Sequence, residues 1–251
     1  MKNKVITICN RKGGVGKTIT ADSLAARLSL KGYKVLCMDL DSQGNLTYQL
    51  KAKPNNKIMD ILQDSKNIEE AIIKTEECYL IPASPFLAQA DLILQNQADK
   101  LKNALKPIKE KYDYIIIDTA AALGSLFINA LTSSDFAIVT AEASILSLQG
   151  IYTLMESINS VKRLTNPDLL LLGILLTRFN PRTILAKDML ENIKDLTQKI
   201  NTRVFKTPIR ECNAIKEAQY MQQNIFTYAP RSNAAKDYQE FITEFLELMK
   251  E

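Results

Sequence analysis

The sequence predicts an α/β fold, a doubly wound and mostly parallel β-sheet that is flanked by helices on both faces. Short apolar segments alternate with helical patterns along the 251 residues, and this alternation implies right-handed crossovers between parallel strands. Two apolar segments, at residues 115–117 and 169–172, are uninterrupted, as is typical of strands that are buried on both faces. Hydrophobic residues form 46% of the chain, which suffices for a two-sided core. We therefore predict a single domain over residues 1–251.

The elements follow one another as strand, turn and helix, beginning with a β-like run at 5–9 and a helix-like run near residue 18. The predicted strands span residues 5–9, 35–39, 79–82, 114–118, 136–140, 169–177 and 204–205. The predicted helices span residues 18–30, 58–62, 67–74, 99–111, 123–132, 146–164, 184–200, 212–222 and 234–250. Sheets of this kind bind ligands at the carboxyl ends of their strands, and the polar motifs of this sequence lie at such ends.

The turn between the first strand and the first helix has the sequence KGGVGKT, at residues 12–18. Glycines let the backbone curl until several amides point at one anion, and the helix dipole adds positive charge there. Lys17 can reach the β- and γ-phosphates of a nucleotide, and the Thr18 hydroxyl can ligate Mg²⁺. Because Arg11 replaces the first glycine of the strict G-x-x-x-x-G-K-[ST] pattern, a glycine-rich turn without a ligand remains the alternative. The predicted contacts to the nucleotide phosphates are Lys12, Gly13, Gly14, Val15, Gly16, Lys17, Thr18 and Ile19.

Three aspartates follow the second strand and the strand at 114–118. Asp39 and Asp41 stand two residues apart, so on an extended segment both side chains point toward the phosphate loop. Asp118 follows four apolar residues and is therefore fixed at a strand end, where its carboxylate can hold the Mg²⁺ shell through water. The alternatives are a polar turn for the first two residues and a capping role for Asp118.

Three motifs, KGGVGKT at 12–18, DLDSQGN at 39–45 and YIIIDT at 114–119, stand in a fixed order. In this respect the sequence resembles the ParA/MinD family of ATPases, which have a deviant Walker-type phosphate loop, and it is most similar to Soj-like partition ATPases of the ParA type. The resemblance extends from about residue 4 to the last helix. Because the phosphate loop lies close to Met1, we expect no N-terminal helix-turn-helix extension.

The resemblance implies roles for individual residues. Lys12 would reach across an ATP-dependent homodimer to the phosphates bound by the partner, like an arginine finger, although a solvated loop lysine is the alternative. Asp41 would orient the attacking water, so that Lys12, Lys17 and Asp41 form the catalytic set. Asp39 would join Thr18 and Asp118 on the metal side. The implied activity is Mg²⁺-dependent hydrolysis of ATP to ADP and phosphate, slow and stimulated by a partner protein.

The segment after Asp118 departs from the family pattern. Ala120 and Ala121 stand where the family usually has one or two prolines. Since proline restricts the backbone, we expect this segment to be looser here than in the family.

The C-terminal third supplies the candidates for contacts to adenine and to DNA, because the family uses this region for both. The candidates for adenine contact are Thr177, Arg178 and Pro208. The candidates for DNA contact are Arg182, Arg210 and Arg231. Binding to phosphates without sequence preference needs only clustered lysines and arginines. For the adenine candidates the alternative is ordinary turn chemistry after a strand. For the DNA candidates the alternative is a solvated face of mixed charge.

The implied function is plasmid or chromosome partition with a ParB-like or ribbon-helix-helix centromere-binding protein, in the cytoplasm and on the nucleoid. The net charge of +4 does not by itself indicate nucleic acid. No apolar run reaches the roughly 18 residues of a membrane span, and the start of the sequence leads directly into a strand, so we expect neither membrane insertion nor a signal peptide.

Other functions of related proteins fit less well. A MinD-like positioning ATPase needs a basic amphipathic C-terminal helix, whereas residues 240–251 are acidic and anionic lipid would repel them. The four cysteines are scattered and none follows the third motif, which disfavours an iron–sulfur reductase. The absence of histidine disfavours a zinc site, and the chain has no tyrosine-rich tail of the capsule-kinase type. A non-hydrolysing nucleotide-binding scaffold remains open.

Overall fold

The computed structural model describes residues 3–64 and 67–250, which contain one seven-stranded sheet. The strands are β1 (Lys4–Cys9), β2 (Val35–Leu40), β3 (Ile73–Lys74), β4 (Tyr79–Ile81), β5 (Tyr114–Thr119), β6 (Phe136–Glu142) and β7 (Leu170–Thr177). They lie side by side in the order β3-β4-β2-β5-β1-β6-β7. Neighbouring strands are parallel except β3 and β4, which are antiparallel. The predicted α/β fold with a mostly parallel sheet is confirmed.

Helices pack on both faces of this sheet. The α-helices are α1 (Lys17–Leu30), α2 (Asn45–Gln49), α3 (Lys57–Asp64), α4 (Ala90–Ile93), α5 (Lys100–Leu105), α6 (Ser125–Ser133), α7 (Ile145–Leu164), α8 (Ile184–Lys199), α9 (Asn213–Tyr220), α10 (Ile225–Tyr228) and α11 (Asn233–Leu248). Single 3₁₀ turns occur at Ile68–Ala71, Pro85–Gln89 and Lys109–Lys111. Among the described helices, none is long and apolar enough to cross a membrane.

The central strands contribute to a separate core on each face, which explains their uninterrupted apolar runs. In β5, Tyr114 and Ile116 pack in a cluster with side chains of α1 and α11. The alternate residues, Ile115 and Ile117, pack on the opposite face with side chains of α3 and α5. A third cluster joins β6 and β7 to α6, α7 and α8. Because successive side chains of a strand point to opposite faces, both faces require apolar residues.

The helix predicted at residues 67–74 is wrong over most of its length. The Asn67 side chain accepts the Glu69 N–H and starts a single 3₁₀ turn. The β-branched Ile72 and Ile73 then favour an extended chain, which pairs as β3 with the edge of β4. Pairing with an exposed strand edge outweighs the helical pattern of the segment.

Two further predictions differ from the structure in extent. The helix predicted at 99–111 divides, because Pro107 lacks the amide that would continue α5, and a 3₁₀ turn follows it. The strand predicted at 204–205 is a single parallel bridge between Val204 and Ile174, after which the chain bends at residues 206–207.

The carboxyl ends of the parallel strands meet at one edge of the sheet and bring the polar motifs together. Asp39 of β2 is in register with Asp118 of β5, and Glu142 of β6 is in register with Thr177 of β7. The loop between β1 and α1 lies between these two pairs of strands, because β1 has β5 on one side and β6 on the other.

Candidate active site

The connection from β1 to α1 is a tight loop whose shape depends on two glycines. Gly14 and Gly16 have φ angles of 75° and 80°, in the left-handed region that favours glycine. A Cβ on Gly16 would also lie 3.2 Å from the side chain of Thr177. The first hydrogen bond of α1 runs from the Thr20 N–H to the Gly16 carbonyl, so the amides before it have no partner within the helix. They are positioned to bind an anion.

Hydrogen bonds from β6, β7 and the loop itself fix this conformation. Thr177 Oγ1 donates to the Val15 carbonyl at 3.0 Å. The buried Asn10 accepts the Lys12 N–H at 2.8 Å and donates to a backbone carbonyl of β6. Lys17 Nζ donates to the Lys12 carbonyl at 3.1 Å. The predicted phosphate contacts therefore form one curled loop. The Thr177 hydroxyl, which was predicted to contact adenine, donates its hydrogen bond to the backbone of this loop.

Asp118 and Thr18 form a hydrogen-bonded pair at the start of α1. Thr18 Oγ1 donates to Asp118 Oδ2 at 2.7 Å, while Asp118 Oδ1 is buried and has no hydrogen-bond partner in the described part of the chain. Burial, reinforced by the carboxylate of Asp39, raises the pKa of Asp118 to about 8, against the opposing effects of Thr18 and Lys17. Burial also lowers the pKa of Lys17, although Asp118 opposes it. A hydroxyl beside a carboxylate with a free oxygen suits a hard divalent cation.

Asp39 and Asp41 lie at the same edge of the sheet but in different surroundings. The buried Asp39 carboxylate accepts the N–H and the hydroxyl of Thr47, both at 2.7 Å, and the Asp41 N–H at 3.2 Å. Burial raises the pKa of Asp39 to about 6, although the hydrogen bonds from Thr47 lower it. Asp41 lines a cavity and accepts the Gln43 N–H at 3.0 Å. These hydrogen bonds give Asp39 a structural role at the start of α2. Its role as a metal-side residue stays a prediction.

A cavity of about 830 Å³ extends from the phosphate loop to α9, a volume in the range of small-molecule sites. Loop glycines, Lys17, Thr18 and Asp41 line one end, and Thr177 and Arg178 lie along its wall. The side chains of α9 that line the other end are Asn213, Ile215, Lys216, Gln219 and Tyr220.

Two features of the α9 end differ from the prediction. Pro208 does not line the cavity in the described residues, whereas the next residue, Ile209, does. The side chains of α9 were not among the residues predicted to line the site. Asn213, Lys216 and Gln219 recur at intervals of three, so they share one helix face, and this spacing is a pattern that could have identified them.

Comparison with known proteins identifies the family. Residues 3–171 match a family described as an AAA domain. The chain is 37% identical over 249 residues to the sporulation initiation inhibitor protein Soj of Bacillus subtilis, covering 96% of this chain and 97% of that protein. It is 35% identical over 243 residues to the chromosome partitioning protein ParA of Myxococcus xanthus, covering 94% and 85%. The chain belongs to the ParA/Soj family of P-loop ATPases.

A solved structure of similar fold supports a nucleotide site in this family. Cobyrinic acid a,c-diamide synthase from Mycobacterium smegmatis, crystallised with a bound ATP analog and magnesium, aligns with a TM-score of 0.84 at 31% identity. The alignment covers 99% of this chain and 96% of that one. The resemblance to ParA-type ATPases that the three motifs indicate is therefore confirmed, and so is the P-loop fold.

Two cationic side chains beside the ParA-type phosphate loop, those of Lys12 and Arg178, form ion pairs with Glu142. Lys12 Nζ lies 2.5 Å from Glu142 Oε2. Arg178 contacts the other oxygen of Glu142 at 2.9 Å and Glu211 at 3.6 Å. Arg178 has a φ angle of 50°, which is unusual for a residue with a side chain and turns the chain sharply after β7.

The three arginines predicted to contact DNA have unequal surroundings. Arg182 and Arg231 are exposed and form no ion pair with another described residue. The Arg210 guanidinium donates to both carboxylate oxygens of Asp237, with Nε at 2.9 Å from the nearer one. The Arg210 backbone N–H donates to the same carboxylate at 2.9 Å. Arg210 thus ties the segment after β7 to α11, while Arg182 and Arg231 remain available to a partner.

The segment after Asp118 is fixed at both ends by residues outside it. Thr119 Oγ1 donates to the Ile8 carbonyl at 2.9 Å, and at the other end Asp91 of α4 accepts the Ser125 N–H and so caps α6. A Cβ on Gly124 would clash with the carboxylate of Asp91, so a larger residue there would displace this cap. Between these anchors Ala121 lines the cavity. The expectation that the segment is looser than in the family stays a prediction.

Proposed function

We propose that this chain is a Mg²⁺-dependent ATPase that closes an ATP-bound homodimer, binds DNA without sequence preference and acts in plasmid or chromosome partition. The main support is the Thr18–Asp118 pair beside Lys17, in which one oxygen of the buried carboxylate has no hydrogen-bond partner among the described residues. Relatives named Soj and ParA, and a similar fold crystallised with an ATP analog and magnesium, agree with it. The proposed location is the cytoplasm, on the nucleoid.

ATP binding follows from the charge and shape of the loop. The amides from Gly13 to Ile19 would surround the β-phosphate, and the Lys17 ammonium would neutralise charge on the β- and γ-phosphates. Mg²⁺, held by the Thr18 hydroxyl and through water by Asp118, would supply further charge neutralisation across the same phosphates. Asp118 Oδ1, for which residues 3–64 and 67–250 supply no hydrogen-bond partner, fits this cation, because an adjacent positive charge favours the ionised carboxylate that burial disfavours.

Hydrolysis would depend on Asp41 and on a lysine from a second chain. Asp41 lines the cavity beside the phosphate loop, where its carboxylate would orient the water that attacks the γ-phosphate. Lys12 would act on the phosphates bound by the partner subunit. Because that lysine comes from another chain, turnover would be slow without a dimer and would rise when a partner protein stabilises the dimer.

The exposed Arg182 and Arg231 are the proposed contacts to DNA phosphates, and a dimer presents each of them twice. The proposed partner is a ParB-like or ribbon-helix-helix centromere-binding protein. Its role would be to stimulate hydrolysis and so to release the dimer from DNA, which couples ATP turnover to movement of the attached plasmid or chromosome.

Release of phosphate from ATP, measured with and without Mg²⁺ and duplex DNA, tests the enzymatic part of this function. We expect turnover that requires Mg²⁺, and a shift of unrelated DNA duplexes in gels that requires ATP. ATP binding without hydrolysis would favour the non-hydrolysing scaffold. Hydrolysis without DNA binding, together with association with anionic vesicles, would favour a MinD-like positioning ATPase.

A further inference from the structure

Glu142 is the common ion-pair partner of Lys12 and Arg178, two cations beside the phosphate loop. One carboxylate oxygen contacts the Lys12 ammonium at 2.5 Å, and the other contacts the Arg178 guanidinium at 2.9 Å. Arg178 has a second carboxylate partner in Glu211, at 3.6 Å, whereas Glu142 is the carboxylate that contacts Lys12 in the described structure. The Lys12 ammonium is therefore already paired within its own chain.

The fold fixes the position of this carboxylate. Glu142 is the last residue of β6 and is in register with Thr177 of β7. Its side chain is 18% exposed, whereas that of Lys12 is 45% exposed. The backbone of Lys12 is held by Asn10 and by the Lys17 ammonium. A half-exposed lysine on a held backbone thus meets a largely buried carboxylate at the end of a strand.

The geometry points to Glu142 as a residue that restrains Lys12 in the single chain and that must release it before Lys12 can bind a phosphate of the partner subunit. This inference rests on the proposed function, in which Lys12 acts across the homodimer. To reach a phosphate of another chain, the Lys12 ammonium would have to weaken or break its contact with Glu142. The apparent affinity of two chains for each other therefore depends on the fraction of chains in which Lys12 is not paired with Glu142.

Loss of the Glu142 charge should strengthen dimerisation by a predictable factor. An ion pair with one half-exposed partner stabilises its arrangement by an amount that corresponds to about a two- to fivefold change in an equilibrium. Each dimer would break two such pairs, one per subunit. If the two act independently, the dimer constant should rise by the square of that factor, roughly 4- to 25-fold.

The test compares Glu142→Gln with the wild-type chain and with Glu211→Gln. Both substitutions keep the side-chain size and remove a carboxylate from Arg178, but only Glu142→Gln removes the partner of Lys12. Sedimentation with Mg²⁺ and a non-hydrolysable ATP analog gives the dimer constant, and nucleotide titration at protein concentrations below dimerisation gives the single-chain affinity. Circular dichroism melting confirms that each variant is folded.

We expect tighter dimers for Glu142→Gln, no comparable gain for Glu211→Gln, and unchanged nucleotide affinity of the single chain. The gain should vanish in a Lys12→Ala background, because no ammonium remains to be released. Folded Glu142→Gln with wild-type or weaker dimerisation would overturn the restraint, as would an equal gain in Glu211→Gln or a gain that persists without Lys12. A wild-type chain that binds the analog but never dimerises would instead contradict the proposed function, and this inference with it.

Discussion

Replacing Asp118 with asparagine is expected to stabilise the nucleotide-free protein while impairing its metal site. The carboxylate is fully buried, and one of its oxygens has no hydrogen-bond partner among the described residues. Asparagine has nearly the same shape, can still accept the hydrogen bond from Thr18, and carries no charge at any pH. The substitution therefore removes the free-energy cost of burying an ionised carboxylate, which the wild-type protein retains at its proposed metal site.

The pKa of Asp118 gives the size and the sign of this effect. In the folded chain it is about 8, against about 3.9 for an aspartate in an unfolded chain. Between these values the folded state binds more protons than the unfolded state, so the free energy of unfolding falls as the pH rises from about 4 to about 8. Roughly 1.4 kcal/mol per pKa unit over this difference sets an upper limit of about 6 kcal/mol. For a chain of this length, 2 to 5 kcal/mol corresponds to a rise in Tm of about 5 to 15 °C.

Melting curves in EDTA without nucleotide, at pH 5 and at pH 8.5, measure this difference. We expect Asp118→Asn to melt above the wild-type protein at both pH values, with a clearly larger gap at pH 8.5. Asp41→Asn is the matched control, because this carboxylate lies in the same site but is only half-buried. A gap that does not grow with pH, or a variant that melts below the wild-type protein at pH 8.5, would refute the reasoning. Added Mg²⁺ and ATP should then raise the Tm of the wild-type protein more than that of the variant.

Four further substitutions test the other parts of the proposed function. Lys17→Ala should abolish ATP binding in a calorimetric titration, because the phosphates lose their point charge; unchanged affinity would contradict the phosphate-loop assignment. Asp41→Ala should still bind ATP but hydrolyse it at least about 100-fold more slowly and accumulate as a dimer in sedimentation; normal turnover would exclude its role in orienting water. Arg182→Glu and Arg231→Glu should weaken the gel shift of unrelated duplexes, most clearly at low salt, with nucleotide affinity as the control. An undiminished shift in the double variant would exclude this surface.

The central strands were predictable because their side chains pack into the apolar cores on both faces of the sheet. Runs such as Ile115-Ile116-Ile117 suit a buried parallel strand, and no competing pattern occurs at those positions. The prediction failed at Ile72 and Ile73, where the outcome depends on the free edge of β4. An edge is a property of the assembled sheet, so a local pattern cannot reveal it.

The phosphate end of the site was predictable for a related reason. Its residues are adjacent in sequence, and the loop shape follows from Gly14 and Gly16, whose φ angles are positive. Thr18 and Asp118 are 100 residues apart, but each lies at the end of a recognisable element, and parallel pairing brings those ends together. The same topological argument does not distinguish Pro208 from Ile209, because the direction of each side chain depends on how the chain bends after β7.

Arg210 shows why a count of basic residues overstates a DNA-binding surface. Its partner Asp237 lies 27 residues further along the chain and is only 5% exposed in its side chain. The Asp237 carboxylate also accepts a hydrogen bond from the Arg210 backbone amide. If a DNA phosphate replaced this carboxylate as the partner of Arg210, the buried charge of Asp237 and the amide would both lose their partner. That loss destabilises the protein by far more than one phosphate contact stabilises the complex. Arg210→Glu should therefore lower the Tm of the protein, whereas Arg182→Glu and Arg231→Glu should not. If Arg210→Glu instead leaves the Tm unchanged and weakens DNA binding as much as the exposed arginines do, the guanidinium is free in solution and belongs to the DNA surface.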